Sequence, residues 1–440
     1  MTTREETMKY FNKTLLAAAI GLASTQTLAA GFQLNSHSAT GVGRAISGDA
    51  VIADNASVLS RNPAAMALFD NTALSLGVTY ADIDVSVKDV CKAGTPICFG
   101  SDTDAAEDKI IPNFYYINPI NDKWAFGVAA FSNFGTGTDP GALANNAVTL
   151  PGLGTIPAPV DLLGNTEVIT MNLNASLSYR VNEQLSLGAG VDVIYGQGTL
   201  TRKGNLPFGP NGEMVPVSLV NVDADGWALG GILGAVYEFN ADHRLGVSYR
   251  FSPEFKASGD VQTLVPQAQA YANFDEIVIP LPDIFQVAGF HQLTEKFALH
   301  YTAQLTSWGD FKEITLENGT LGQTSIPSSQ LKHYAWDDSW LFSIGGTYQL
   351  SDAWTLRAGY MHDQGVVDEI SSISIPDSDR NWYTLGASYA LSANATLDLG
   401  VALVRGEDTQ VLEQSAIIGD VIAHTRSNAV YYSLQYNYKY

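Results

Sequence analysis

Residues 167–195 constrain the fold of this chain more than any other stretch. Ile169, Met171, Leu173, Ala175, Leu177 and Tyr179 share one parity, while Thr170, Asn172, Asn174, Ser176 and Ser178 share the other. Side chains of a β-strand point alternately to its two faces, so this segment is a strand with one apolar and one polar side. A polar turn at 180–184 follows. Leu185, Leu187, Ala189, Val191, Val193 and Tyr195 then resume the alternation against Ser186, Gly188, Gly190 and Asp192, completing a β-hairpin. A soluble sandwich alternates as well, but here the apolar faces run unbroken and close on tyrosines. An apolar band toward lipid, aromatics at its edges and a polar lumen define a membrane barrel, and the hairpin fits that pattern.

The rest of the chain agrees. Charged residues make up only 15% of it, against about 25% in ordinary globular chains, and there are 20 tyrosines. After the N-terminus no run approaches the ~18 apolar residues of a membrane helix. A chain that crosses a bilayer without helices must close its sheet into a barrel, because lipid cannot satisfy a free sheet edge. Arg4, Lys9 and Lys13 precede an apolar run at 15–22 and then Leu28-Ala29-Ala30, the pattern of an export signal. Residues 1–30 are therefore assigned as a signal peptide, with the mature chain starting near Ala30 or Gly31 in the periplasm. A net charge of −22 argues against nucleic acid as a partner. Acidic loops suit divalent cations at a lipopolysaccharide surface, or are simply solvated. Cys91 and Cys98, the only cysteines, lie in a polar stretch of an exported chain, which allows them to pair as a disulfide. No further ligands accompany them, so no metal and no cofactor is expected.

Residues 31–71 lack strand alternation and are rich in Gly, Ala and Ser, which marks a plug. Within them Asn62-Pro63-Ala64 reads as a helix start, with Asn as cap and Pro at the first position. Gly41-Val42-Gly43 follows no strand and precedes no Lys-Ser/Thr pair, so it is not a nucleotide loop. From 72 onward fourteen strands are expected, with cores at 72–85, 110–118, 123–134, 166–180, 184–200, 222–239, 244–258, 281–291, 296–314, 337–350, 353–365, 377–391, 395–408 and 427–440. Long Gly/Pro/Asp-rich connections alternate with short turns. The final strand carries Val430, Tyr432, Leu434, Tyr436, Tyr438 and Tyr440 on one face and ends on an aromatic. This ending resembles the signal read by the barrel-assembly machinery. The expected fold is all-β: a 14-stranded antiparallel transmembrane β-barrel, 72–440, with an N-terminal hatch, 31–71, inside its lumen.

Several motifs carry a family resemblance: Gly31-Phe32-Gln33-Leu34-Asn35, Ser60-Arg61-Asn62-Pro63-Ala64, Asn118-Pro119-Ile120-Asn121-Asp122, Thr306-Ser307-Trp308, and Ile373-Ser374-Ile375-Pro376-Asp377-Ser378-Asp379-Arg380. In this order they resemble the outer-membrane long-chain fatty acid transporter (FadL) family, from about Gly31 to the C-terminus. The resemblance implies a Gram-negative outer-membrane protein whose hatch bears Asn62, Pro63 and Ala64. Long-chain fatty acids or other hydrophobic molecules, aromatic hydrocarbons among them, would land in an apolar loop groove. They would then move to a pocket above the hatch and leave sideways through the wall. The third strand holds Trp124, Phe126, Val128 and Ala130 on its apolar parity and then fails. Glycine in the segment Ser132-Asn133-Phe134-Gly135 marks a bend, and the resemblance makes this segment the border of a lateral exit.

For the groove, the candidates are apolar residues in the long loops: Leu206, Phe208, Met214, Val215, Leu264, Val265, Phe274 and Ile277. For a cation that would hold the carboxylate, they are Arg202, Lys332, His333 and Arg357. The resemblance implies that a lumen Arg can stand in the fifth strand, where this chain has Gly196, Gln197 and Gly198. An enzyme is not expected, since there is no Gly-x-Ser-x-Gly elbow and seven scattered His residues form no triad pattern. A general diffusion porin is the rival transporter, although its N-terminus would enter the first strand directly.

Overall fold

The computed structural model describes residues 31–152, 154–367 and 371–440; the expected signal peptide lies outside the described residues. Fourteen long strands close into one antiparallel barrel among the described residues. They are β1 Ala73–Lys92, β2 Lys109–Pro119, β3 Trp124–Phe131, β4 Thr166–Arg180, β5 Leu185–Leu206, β6 Val215–Asn240 and β7 His243–Phe251. The second half comprises β8 Ile284–Thr294, β9 Phe297–Thr306, β10 Ser339–Gln349, β11 Trp354–Asp363, β12 Arg380–Ala390, β13 Ala395–Gly406 and β14 Gly419–Lys439. Each strand pairs with the next, and β14 returns to β1 in a register running from Ala73 opposite Lys439 to Lys92 opposite Val421.

Burial is inverted relative to a soluble protein. On β4 Thr170, Asn172, Asn174, Ser176 and Ser178 are buried, whereas Leu173 and Leu177 are exposed. The polar parity faces inward and the apolar parity faces lipid, as the alternation requires. On β5 the same rule holds only as far as Tyr195. Beyond it the outer parity reads Gln197, Thr199, Thr201, Lys203 and Asn205, while Leu200 and Leu206 on the inner parity are buried. Tyr195 stands opposite Trp227 on β6 with ring centroids 4.9 Å apart. At the other rim, Trp124 meets Tyr179 at 4.6 Å and Trp354 meets Tyr389 at 4.8 Å. These are the two aromatic girdles. A strand of about 9–11 residues crosses a bilayer, so a 22-residue β5 projects well beyond the outer girdle.

That projection explains where the expected strand limits were wrong. β1 runs on to Lys92, β5 to Leu206, and β6 and β14 begin early at Val215 and Gly419, because their extramembrane halves alternate with the opposite sense and read as loop. β7, expected to reach 258, ends at Phe251. Pro253 interrupts it, and Glu254–Val265 then forms a separate strand between the upper part of β6 and Ala270–Pro280. β9, expected to reach 314, stops at Thr306, where Trp308–Asp310 makes a single 3₁₀ turn before Glu313–Glu317 resumes pairing. β3 ends at Phe131, short of 134.

Residues 31–70 are mostly buried and touch strands all round the ring. A short helix, α1 Ala39–Gly43, is capped by Ser38, and two 3₁₀ turns, Ala56–Ser60 and Pro63–Leu68, are capped by Asn55 and Asn62. Asn62 uses both ends of its amide. Its Oδ1 accepts from Ala64 N (3.0 Å), and its Nδ2 donates to Ala50 O (3.0 Å) and to the β6 carbonyl of Ala235 (3.1 Å). The turn approaches the wall so closely that a Cβ on Gly188 would lie 2.3 Å from Ala64 N, and one on Gly234 would lie 1.9 Å from Asn62 Oδ1. Only glycine permits this backbone approach. Charges complete the docking: Arg44 pairs with Asp49 (2.8 Å) and Asp54 (2.7 Å), Arg357 of β11 also reaches Asp54 (3.2 Å), and Arg250 pairs with Asp192 in the wall.

Candidate functional site

The ladder between β3 and β4 fixes the first component. Phe131 stands opposite Asn172, but when pairing resumes at Gly135–Thr138, Gly135 stands opposite Ile169. Four steps on one strand therefore match three on the other, which is a bulge. Its backbone groups turn inward and are satisfied by the N-terminal segment. Leu34 N donates to Asn133 O (2.7 Å), Gly135 N donates to Phe32 O (2.6 Å), and the His37 ring lies 3.0 Å from Ser132 O. Thr170 Oγ1 donates to Phe134 O (2.8 Å). Phe134 itself is buried, edge-on to Phe32 and Trp308, so it faces the lumen. On the other side, β2 pairs with β3 only from Phe114 to Pro119. Its residues 109–113 have no ladder partner across from Gly135–Thr138 among the described residues, which leaves a gap in the wall at this height.

An apolar cavity forms the second component. Phe32 of the N-terminal segment lines it. Leu200, Val222 and Ala224 reach in from β5 and β6, Phe255, Ala257, Ile277 and Ile279 come from the strands that follow the break in β7, and Leu281 lies just beyond them. Next to Phe32 lies an aromatic cluster in which Trp308, Phe311 and Trp336 all approach its ring within 5.9 Å.

The residues expected to form a groove fall into three groups. Ile277 lines the cavity, Phe274 is buried in the same apolar cluster, and Val265 packs at its edge beside half-buried Leu264. Leu206 belongs to a separate cluster with Leu143 and Val160. Phe208 is exposed, and Met214 and Val215 are half-buried above it. Period-two patterning at Phe255/Ala257 and Ile277/Ile279/Leu281 was the signal that could have revealed the wall. It was obscured because these segments lie between barrel strands.

The cations are also separated. Arg202, buried, donates to Asn165 O (2.9 Å), Thr201 O (2.9 Å) and Thr166 Oγ1 (2.8 Å), and Thr166 lines the cavity. It makes no ion pair among the described residues. Lys332 is paired with Glu413 and donates to Ser372 Oγ (2.8 Å) and Ser374 Oγ (3.1 Å), above the Tyr334 ring. Burial pushes the Tyr334 phenol above its usual range, against the pull of Lys332 and Arg202. His333 is exposed, and Arg357 is held by Asp54 far from this cluster in sequence and on another strand. Above the lumen, Asp161 accepts from Ser415 Oγ (2.7 Å) and Ala416 N (2.7 Å), and burial raises its carboxyl above the usual range. A disulfide joins Cys91, near the end of β1, to Cys98 in the loop that follows.

A family model described as outer membrane protein transport protein (OMPP1/FadL/TodX) matches residues 20–440. The chain belongs to this family. The long-chain fatty acid transport protein of Salmonella typhi is 32% identical, covering 92% of this chain and 94% of its own length. Among solved structures, a FadL homologue from Pseudomonas aeruginosa superposes with a TM-score of 0.74 at 24% identity, over 93% of this chain and 99% of that one. The P. putida toluene transporter TodX gives 0.62 at 20%, over 88% and 94%. These two structures establish the shared fold. Family and barrel together locate the chain in the outer membrane of a Gram-negative bacterium as a transporter.

Proposed function

We propose that this barrel carries long-chain fatty acids, or similarly hydrophobic molecules, across the outer membrane. The observation that carries the reading is an apolar cavity inside the barrel, lined by Phe32 of the N-terminal segment together with Leu200, Val222, Phe255 and Ile277. A hydrocarbon chain gains about 0.8 kcal/mol for each CH₂ removed from water, a driving force that a wet pore does not supply. Relatives about 32% identical are named for the same cargo.

In this reading residues 31–71 are a hatch and 72–440 the wall that holds it. Cargo lands on apolar loop residues, descends to the cavity, and leaves by the gap that Ser132, Asn133, Phe134 and Gly135 border. Arg202 takes the carboxylate: it bonds Thr166 of the cavity lining, and neutral oxygens alone engage it. Lipopolysaccharide around the acidic loops and the barrel-assembly machinery at the C-terminal strand are the remaining partners.

Native mass spectrometry of the detergent-purified protein should show co-purified acyl chains, and Arg202→Gln should lower oleate binding while leaving toluene binding unchanged. Gly135→Val should reduce labelled-oleate uptake with the barrel assembled; normal uptake would refute the exit at this place. Large steady conductance with no bound lipid would replace the reading with a general porin.

A further inference from the structure

The gap beside β3 is crossed by side chains. On β2, Lys109 shares the parity of Ile111, Asn113 and Tyr115, all buried, and Tyr115 OH donates to His37 O inside the barrel; this parity faces the lumen. On β4, Glu167 shares the parity of Leu173 and Leu177, which is the outer one. Yet Lys109 Nζ lies 3.6 Å from Glu167 Oε1. The two meet at Gly137, where a Cβ would stand 3.6 Å from Lys109 Cε and 3.9 Å from Glu167 Cγ. An ammonium from inside therefore reaches a carboxylate from outside through the opening that the missing β2–β3 ladder leaves. The side chain of Lys109 is only 6% exposed, although the recess around it is open and polar. Asp104, Glu107, Asp139 and Glu167 line that recess, and Lys109 is the single cation among its lining residues.

We infer that the Lys109–Glu167 pair is a latch across the lateral opening and that Lys109 selects for cargo with an anionic head. This inference rests on the transport reading above. A neutral molecule crossing the gap must part the pair, leaving Glu167 without a cation and Lys109 with only the exposed Glu107, 3.7 Å away. A carboxylate takes the place of Glu167 on Lys109, so the buried ammonium stays paired while the acyl chain passes. Without Lys109 the same carboxylate would face four acidic groups. The exchange is non-covalent, and Glu167 is returned to solvent on the outer side.

The test compares uptake of labelled oleate with labelled oleyl alcohol in a host lacking its own route, alongside binding of a fluorescent fatty acid to purified protein. Lys109→Met should lower the oleate-to-alcohol ratio by about tenfold, the scale of one charge-assisted hydrogen bond, while Lys109→Arg should retain it. Binding in the upper cavity should be unchanged in both. The swap Lys109→Glu with Glu167→Lys rebuilds the pair but leaves the lumen side negative, so the ratio should stay low. An unchanged ratio in Lys109→Met, or a ratio restored by the swap, would overturn selection by Lys109 and leave a purely structural pair. Loss of binding and uptake in the wild type would overturn the transport reading, and this inference with it.

Discussion

The halves of this barrel above and below the Tyr195–Trp227 contact are built on opposite rules. Below it the outer face is apolar and the lumen polar: Val191 faces lipid while its neighbour Asp192 is fully buried in an ion pair with Arg250. Above it the outer face carries Thr199, Thr201 and Lys203, and the lumen holds Leu200, Val222 and Phe255. The backbone is continuous, with β5 and β6 paired along both halves. What changes is the solvent outside. Lipid demands an apolar exterior, leaving polar residues to bind the N-terminal segment; water above the girdle releases that demand and frees apolar residues to build a dry interior. A single sheet thereby supplies both an anchor and a pocket.

Four experiments break or sharpen that contrast. The largest effect belongs to the polar lower lumen, where Arg250→Met leaves Asp192 as an uncompensated buried charge; a loss of about 3–5 kcal/mol is expected, read from urea unfolding in lipid vesicles. An effect near zero would mean that the lower lumen is well hydrated. Next comes the lipid face: Val191→Arg should cost about 2–4 kcal/mol in the same assay, whereas Thr201→Arg on the same outer parity but above the girdle should cost under about 1 kcal/mol. Equal costs would erase the boundary drawn at Tyr195. In the upper lumen, Phe255→Ala removes about 1.5–3 kcal/mol of apolar contact from a bound chain, so the Kd for a fluorescent fatty acid should rise by roughly ten- to a hundredfold. The smallest effect is that of Cys91→Ser with Cys98→Ser. It opens a short loop far above the girdle, and barrel melting should scarcely move, as checked by the heat-modifiable shift on gels.

How much was legible follows from the same contrast. All fourteen barrel strands could be found, because a lipid-facing band imposes an alternation that runs through the membrane-spanning parts of β4, β5 and β14. Their outer ends could not. At Gln197 the apolar residues move to the other parity, and a reader following one face sees the strand stop at 200 although it continues to Leu206. The motif Asn62-Pro63-Ala64 was visible as a capped turn; nothing in it showed that Gly188 and Gly234 receive it, since these glycines lie more than a hundred residues away. At the site, the Gly-rich break after β3 was visible, and so was Ile277. Phe32 in the cavity lining, Phe134 turned inward and the burial of Arg202 beside Thr166 were not.

The sequence by itself determined the class of structure, because hydrophobic periodicity is a local property set by the environment on each face. It determined the number of strands, the distinct N-terminal segment and the one strand whose pattern fails. Only the tertiary structure decided what those parts do to each other. Which cation is left with neutral partners depends on contacts between segments far apart in the chain, as with Arg357 and Asp54. The meeting of Lys109 and Glu167 is of the same kind. Their parities place them on opposite faces of the wall, and they come together only because a bulge in the strand between them removes the ladder that would have kept them apart.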